Sequence, residues 1–169
     1  MSELLLVPRA RPTKGRPFDL FDPKNVDAPR QFDSATFSRD GRLVAAVGGW
    51  SFGVWKAADL ERGGKVAPVA IVGGFTLAPH SVAFSPDGRR LAAGGDGREA
   101  VRLYDAESRL PVLTLAARGS IFQRTAFSPD GTVLAASNEE GELHLWRAPS
   151  WEEIDAAEAE TGGPSGDGR

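Results

Sequence analysis

The sequence predicts an all-β chain assembled from three copies of one four-stranded antiparallel unit. Two observations carry this reading. One stretch occurs three times without gaps: Ser34 to Ala46 reads SATFSRDGRLVAA, Ser81 to Ala93 reads SVAFSPDGRRLAA, and Arg124 to Ala136 reads RTAFSPDGTVLAA. Phe37, Phe84 and Phe127 align, as do the pairs Asp40-Gly41, Asp87-Gly88 and Asp130-Gly131, at a period of roughly 43–47 residues. An aliphatic-aromatic pair then follows each Phe at about 18–20 residues: Val54-Trp55, Leu103-Tyr104 and Leu145-Trp146. Self-similarity at such a period marks a repeat architecture, in which each unit buries its apolar faces against its neighbours.

Residues 1–31 precede the repeats as an arm. Pro8, Pro12, Pro17, Pro23 and Pro29 interrupt it, and proline both lacks a backbone donor and drives its predecessor out of the helical region, so no long helix fits. Leu4 to Val7 and Phe18 to Phe21 are short enough and apolar enough to be strands. Within each repeat, the run ending at the aligned Phe is the first strand. Ser85-Pro86-Asp87-Gly88 supplies turn chemistry, because proline pre-sets φ, Asp bonds nearby backbone and Gly accepts positive φ. Arg39 stands in the proline position of the first copy, where Asp40-Gly41 is expected to keep the turn. The second strand follows, and its small Ala residues beside Phe and Leu predict burial on both faces.

Third strands are expected at Phe52 to Trp55, Ala100 to Tyr104 and Leu143 to Trp146. The last two alternate, Val101-Arg102-Leu103 and Leu143-His144-Leu145, which reads as one apolar and one polar face. Fourth strands are expected at Val69 to Val72 and Val112 to Leu115, each beginning 12 residues before the next repeat. The third unit has no such segment. Trp151 to Glu158 is rich in Ala and Glu, poor strand formers, so residues 151–169 are expected to be a short helix or irregular tail ending in a disordered Gly-Pro-Ser-Asp run.

Composition narrows the function. The formal charge of −3 offers no concentrated basic surface for nucleic acid. With no cysteine there is neither a disulfide framework nor a Cys-ligated metal site. The apolar run Leu4 to Val7 is shorter than a secretory or membrane segment needs, so the expectation is a cytoplasmic protein with no membrane partner. The three Asp-Gly pairs sit between apolar strands and read as turns rather than calcium ligands. Gly94-Gly95-Asp96-Gly97 leads into a strand, not the helix a phosphate loop requires. His80 and His144 lack metal-ligand spacing, and no nucleophile stands out. No cofactor and no catalytic residue is assigned.

Four short strands per unit, an F-S-P-D-G hairpin and a third strand ending in Trp or Tyr resemble WD40 repeats from Phe32 to about Ala148, with Tyr104-Asp105 where that family often has Trp-Asp. The ending Leu145 to Ile154 resembles the last blade and tail of bacterial WD40 proteins. The resemblance implies β-propeller blades over residues 32–150 and a non-enzymatic scaffold that binds a protein or peptide. Glu140, Arg98 and Gly49 stand where the family often has a turn Asp, so hydrophobic packing is expected to carry more of the stability.

Three blades are too few for the usual ring of about 4–8. The chain is expected to be half of an oligomeric propeller, a homodimer of six blades in which an N-terminal segment of one chain supplies the missing fourth strand of the other. Twelve residues back from Ser34 is Asp22, nearer Phe18 to Phe21, whereas Leu4 to Val7 is more apolar. The alternatives are a C-terminal regulatory fragment of a larger signalling protein, its ring completed by another polypeptide, and an enzyme with a loop-built site. Candidate partner-binding residues are Trp50, Phe75, His80, Arg98, Phe122 and Glu140, from the loops where first strands begin.

Overall fold

The computed structural model describes residues 32–62 and 66–148. The arm 1–31 and the tail 151–169 lie outside the described residues, and with them the strand candidates Leu4 to Val7 and Phe18 to Phe21 and the expected C-terminal helix.

Among the described residues, eleven strands form three antiparallel sheets in chain order. The first blade is β1 (Ser34–Phe37), β2 (Leu43–Gly48), β3 (Ser51–Lys56) and β4 (Ala70–Val72). The second is β5 (Ser81–Phe84), β6 (Arg90–Gly94), β7 (Val101–Asp105) and β8 (Pro111–Leu115). The third has three strands, β9 (Phe122–Phe127), β10 (Val133–Asn138) and β11 (Leu143–Arg147). Each is a meander, so first strands lie along one edge of their sheets, and β1, β5 and β9 pack side by side. These are propeller blades in sequence, and they do not close into a ring. Helix α1 (Ala57–Arg62) follows β3 and was not expected from the repeat pattern, although its residues are good helix formers. A 3-10 turn occupies Gly97–Glu99, where a plain turn was expected.

The three hairpins are superimposable in their bonding. Ser38 Oγ donates to Asp40 Oδ1 (2.6 Å), Ser85 to Asp87 (2.5 Å) and Ser128 to Asp130 (2.5 Å). The same hydroxyl accepts the amide that opens the second strand, from Leu43, Arg90 or Val133, at 2.9 Å each. Gly41, Gly88 and Gly131 close the turns at φ of 70–78°, the left-handed region that glycine enters without steric cost. Arg39 leaves the first hairpin intact because these bonds need Ser, Asp and Gly, not the proline.

Ser38 and the Arg42 amide hold the Asp40 carboxyl below the usual carboxylate range, and Ser85 with the Arg89 amide, or Ser128 with the Thr132 amide, do the same for Asp87 and Asp130. A carboxyl depressed in the folded state contributes stability that is present above its unfolded pKa, near 4, and is lost as pH falls through the folded value. Thermal melts should therefore show an acid limb below about pH 4. The triple change Asp40→Asn, Asp87→Asn, Asp130→Asn keeps the acceptors and removes the charges, so it should flatten that limb. An equally steep limb in the triple variant would assign the acid loss to other carboxyls.

Two apolar layers join the blades. Between the first and second, Ala45, Val47, Phe52, Val54 and Val72 meet Val82, Phe84, Leu91, Ala93 and Tyr104. Between the second and third, Ala92, Ala100 and Val101 meet Phe122, Leu134 and Ala136, with Leu103, Phe127 and Trp146 at the margin. The strands of the second blade nearest the first-strand edge are thus buried on both faces, as their Ala content predicts.

Candidate interaction surfaces

Strand register makes every position in one blade comparable with its counterparts. Tyr104 pairs with Leu91, and Trp146 with Leu134, as Trp55 pairs with Val44. These positions, with the aligned Phe, make up the face each blade turns toward its predecessor. Phe84 on that face is 9% exposed against the first blade, while Phe37, with no preceding blade among the described residues, is 64% exposed. Trp55 on the same face is already covered: Phe32 meets it edge-on at 5.8 Å, the ring lies over Gly53, and its Nε1 donates to the Val66 carbonyl at 3.2 Å.

The opposite face of each blade meets its successor. Phe52 and Val54 in β3 fill this role at 0% and 3% exposure, and Val101 and Leu103 do so in β7. Their counterparts in β11 are Leu143 and Leu145, exposed at 66% and 63%. Ala126 of β9 is exposed beside them. The third blade therefore presents a successor-facing layer with nothing on it among the described residues.

The expected polarity of β11 is reversed by this. His144 was read as the outward residue between two inward leucines. Its ring instead faces the second blade, 5.4 Å from Phe122 and 5.9 Å from Trp146, with Nε2 3.3 Å from Glu142 Oε2. Arg102, its counterpart in β7, likewise faces inward. Its guanidinium pairs with Glu99, donates to the Gly74 carbonyl at 2.8 Å and lies 5.5 Å from the Phe75 ring centre. Burial alone would raise the Glu99 carboxyl, but the bonds from Arg102 and from Thr76 outweigh it and the carboxyl is lowered. Alternation in a blade separates two buried faces, so a polar residue between two leucines marks an inter-blade latch rather than a solvent face.

The loops at the end where first strands begin carry the candidate partner-binding residues, and the structure divides them. Trp50, in the turn between β2 and β3, is 64% exposed, and Arg98 is exposed. Glu140 is exposed but engaged, accepting from the Ser120 amide (3.1 Å) and hydroxyl (2.7 Å), which lower its carboxyl. His80 is half-buried, its amide donating to the Gly94 carbonyl at 2.7 Å. Phe75 and Phe122 are not exposed anchors. Phe75 packs on Phe52 and Tyr104, while Phe122 is fully buried and already part of β9. Phe75 fills the gap between the first and second blades and Phe122 the gap between the second and third, which removes each large apolar ring from water. Ile121 before it holds φ at 40°, costly for a β-branched residue. Its amide bonds Asp96 Oδ1 at 3.3 Å and the next amide bonds the Gly95 carbonyl at 2.9 Å, which pins the turn.

At the other end, a cleft of about 490 Å³ opens between the first two hairpins, lined by Asp40, Phe84 and Asp87 among others. A second of about 580 Å³ lies between the first hairpin and α1. Among the described residues no three His, Cys, Asp or Glu side chains group as metal ligands, and no helix is long and apolar enough to cross a membrane.

Comparison with known proteins agrees with this geometry. The family model "WD domain, G-beta repeat" matches residues 68–98, from the approach to β4 across the first two strands of the second blade. A stretch of 70 residues is 41% identical to the target of rapamycin complex subunit wat1 of Schizosaccharomyces pombe, covering 39% of this chain and 22% of that protein. The WD repeat and SOCS box-containing protein 1 of Takifugu rubripes is 38% identical over 69 residues, and that of Danio rerio 36%, each covering 41% of this chain and 16% of the relative. The chain thus spans no more than 22% of the length of these curated relatives, all three eukaryotic. The match over residues 68–98, the relatives and the three stacked sheets together support the WD40 repeat family for these blades.

Proposed function

We propose that this chain is a non-enzymatic protein-interaction scaffold whose binding unit is a six-bladed ring of two copies. WD40 repeats support the scaffold role, since such domains generally bind protein partners. One observation carries the self-association: Leu143 and Leu145 stand exposed at the positions that Phe52, Val54 and Val101 bury against a following blade. Among the described residues, the predecessor-facing side of the first blade, around Phe37, is an inter-blade face left without such a layer. A head-to-tail contact between these sides repeats the packing the chain already uses twice, and two such contacts close a two-fold ring.

On that ring, Trp50 and Arg98 would recur on the loop end of both halves, and an exposed tryptophan is a strong anchor for a protein or peptide partner. The setting we propose is cytoplasmic, in a bacterium, in keeping with a cysteine-free chain. A second reading is favoured by the small share of each relative that the chain covers: further blades come from another polypeptide, and the chain is a regulatory piece of a larger assembly. Light scattering of the purified chain separates the two. The dimer reading expects twice the chain mass of 17.9 kDa. A stable monomer would overturn it.

A further inference from the structure

We infer that the cleft between the first two hairpins docks an extended peptide that carries an apolar side chain between an acidic and a basic one. The cleft lies within a single chain, so the inference goes beyond the self-association reading and does not depend on it.

The cleft follows from one departure in the repeat. At the junction of the second and third blades the hairpins nearly touch, since a Cβ on Gly131 would lie 3.5 Å from Pro86 Cδ. The equivalent pair at the junction of the first and second blades is Arg39 with Gly88. Gly88 and Gly131 hold the same turn, at φ of 72° and 78°, yet a Cβ on Gly88 would meet nothing within 4 Å. Where a proline ring stands the hairpins close on each other, and where Arg39 stands they stay apart around about 490 Å³. Ligand sites typically enclose about 300–1,000 Å³. Arg39 is exposed and makes no hydrogen bond or ion pair among the described residues. The hairpin does not use it, so its guanidinium is free to meet a partner.

The lining decides what fits. Leu43, Phe84 and Pro86 supply the apolar part. Asp40 is already engaged, with Oδ1 accepting from the Ser38 hydroxyl and the Arg42 amide, and Oδ2 3.7 Å from Arg42 Nε. Asp87 differs. Its Oδ1 accepts from the Ser85 hydroxyl (2.5 Å) and the Arg89 amide (3.0 Å), which fix the carboxylate, while no cation pairs with Oδ2 among the described residues. Arg39 on one hairpin and Asp87 on the other therefore offer opposite charges across an apolar gap.

Alternate side chains of an extended peptide share one face. Acidic, apolar and basic residues at every second position thus enter the cleft together. The acid meets Arg39, the base meets Asp87, and the apolar side chain lies on Leu43, Phe84 and Pro86. Each exposed ion pair contributes no more than about fivefold in affinity, so the charges select the partner. The apolar contact supplies about tenfold or more.

The test is an NMR titration of the isotope-labelled full chain with the blocked peptide Gly-Glu-Ser-Leu-Ser-Lys-Gly and with its charge-reversed order, Gly-Lys-Ser-Leu-Ser-Glu-Gly. One order should shift the amides of Ser38 to Leu43 and of Phe84 to Gly88 and leave Ser128 to Gly131 in place. Exchanging the peptide leucine for glycine should weaken binding about tenfold. Arg39→Pro gives the first hairpin the proline of the other two, so it should abolish the shifts with the thermal melt unchanged. Arg39→Glu keeps the cleft and inverts one wall, so Gly-Lys-Ser-Leu-Ser-Lys-Gly should bind this variant more tightly than it binds the parent.

Absence of shifts with both orders, equal shifts at all three hairpins, or undiminished binding by a folded Arg39→Pro variant would overturn the inference. If Arg39→Pro does not fold, Arg39→Glu decides, and an unchanged preference between the peptides overturns it.

Discussion

Replacing Leu143 and Leu145 together by aspartate is expected to turn the assembled protein into a folded monomer. Both side chains are exposed, and among the described residues neither belongs to a core cluster. Thermal melts of the dissociated variant should therefore match those of the dissociated parent within about 0.5 kcal/mol. In the proposed ring they would occupy the layer that Phe52 and Val54 occupy at the first junction, where burying a leucine is worth about 1.5–3 kcal/mol. The substitution removes two such contributions and asks two carboxylates to leave water. Weakening of association by more than about a hundredfold follows, since each 1.4 kcal/mol is a factor of ten. Sedimentation of parent and variant at matched concentration measures it, and equal association would show that this face lies outside the interface.

Replacing Gly94 by alanine should be among the most damaging changes of one methyl group in the chain. Gly94 ends β6 where the second and third blades come closest. A Cβ there would sit 2.5 Å from the Phe122 carbonyl oxygen and 3.1 Å from Thr125 Cγ2, and it would overlap the Ser81 hydroxyl. That hydroxyl donates to the same carbonyl at 2.9 Å. The Phe122 oxygen belongs to the backbone of the neighbouring blade, so it cannot swing away as a side chain would. Relief requires the blades to separate, which also loosens the fully buried Phe122 ring. Overpacking of this kind costs about 1–3 kcal/mol, and the broken hydrogen bond adds about 1 kcal/mol. Chemical denaturation should show the midpoint falling accordingly. An unchanged midpoint would mean the blades are not in such close contact at this point.

The parts of the fold legible in the sequence were those encoded locally and three times over. The hairpins follow from Ser, Asp and Gly at fixed spacing, which is why Arg39 could replace proline without consequence. The expectation of helix formers in place of an outer strand after Trp146 falls outside the described residues; within them the third blade has three strands. The candidate surface was less legible for a physical reason. In a half-exposed sheet, alternation separates core from water, so Leu143-His144-Leu145 reads as leucines inward. In a stack of blades both faces are interfaces, and which one is exposed depends on which neighbour is absent. Phe75 and Phe122 were misleading for a related reason, since a loop aromatic is exposed only if no crevice between blades admits it. Helix α1 carries no repeat signal, because the β3–β4 connection that holds it is longer than the β7–β8 connection, although Ala57 to Arg62 contains neither glycine nor proline.

The most direct test of the two-copy ring is native mass spectrometry of the full chain over a wide concentration range. A heterologous contact closes only if its rotation brings the second copy back onto the first; otherwise chains add without limit. The closed ring predicts one assembled species at twice 17.9 kDa, with no larger forms as concentration rises. A ladder of growing oligomers, or a monomer alone at every concentration, would contradict it.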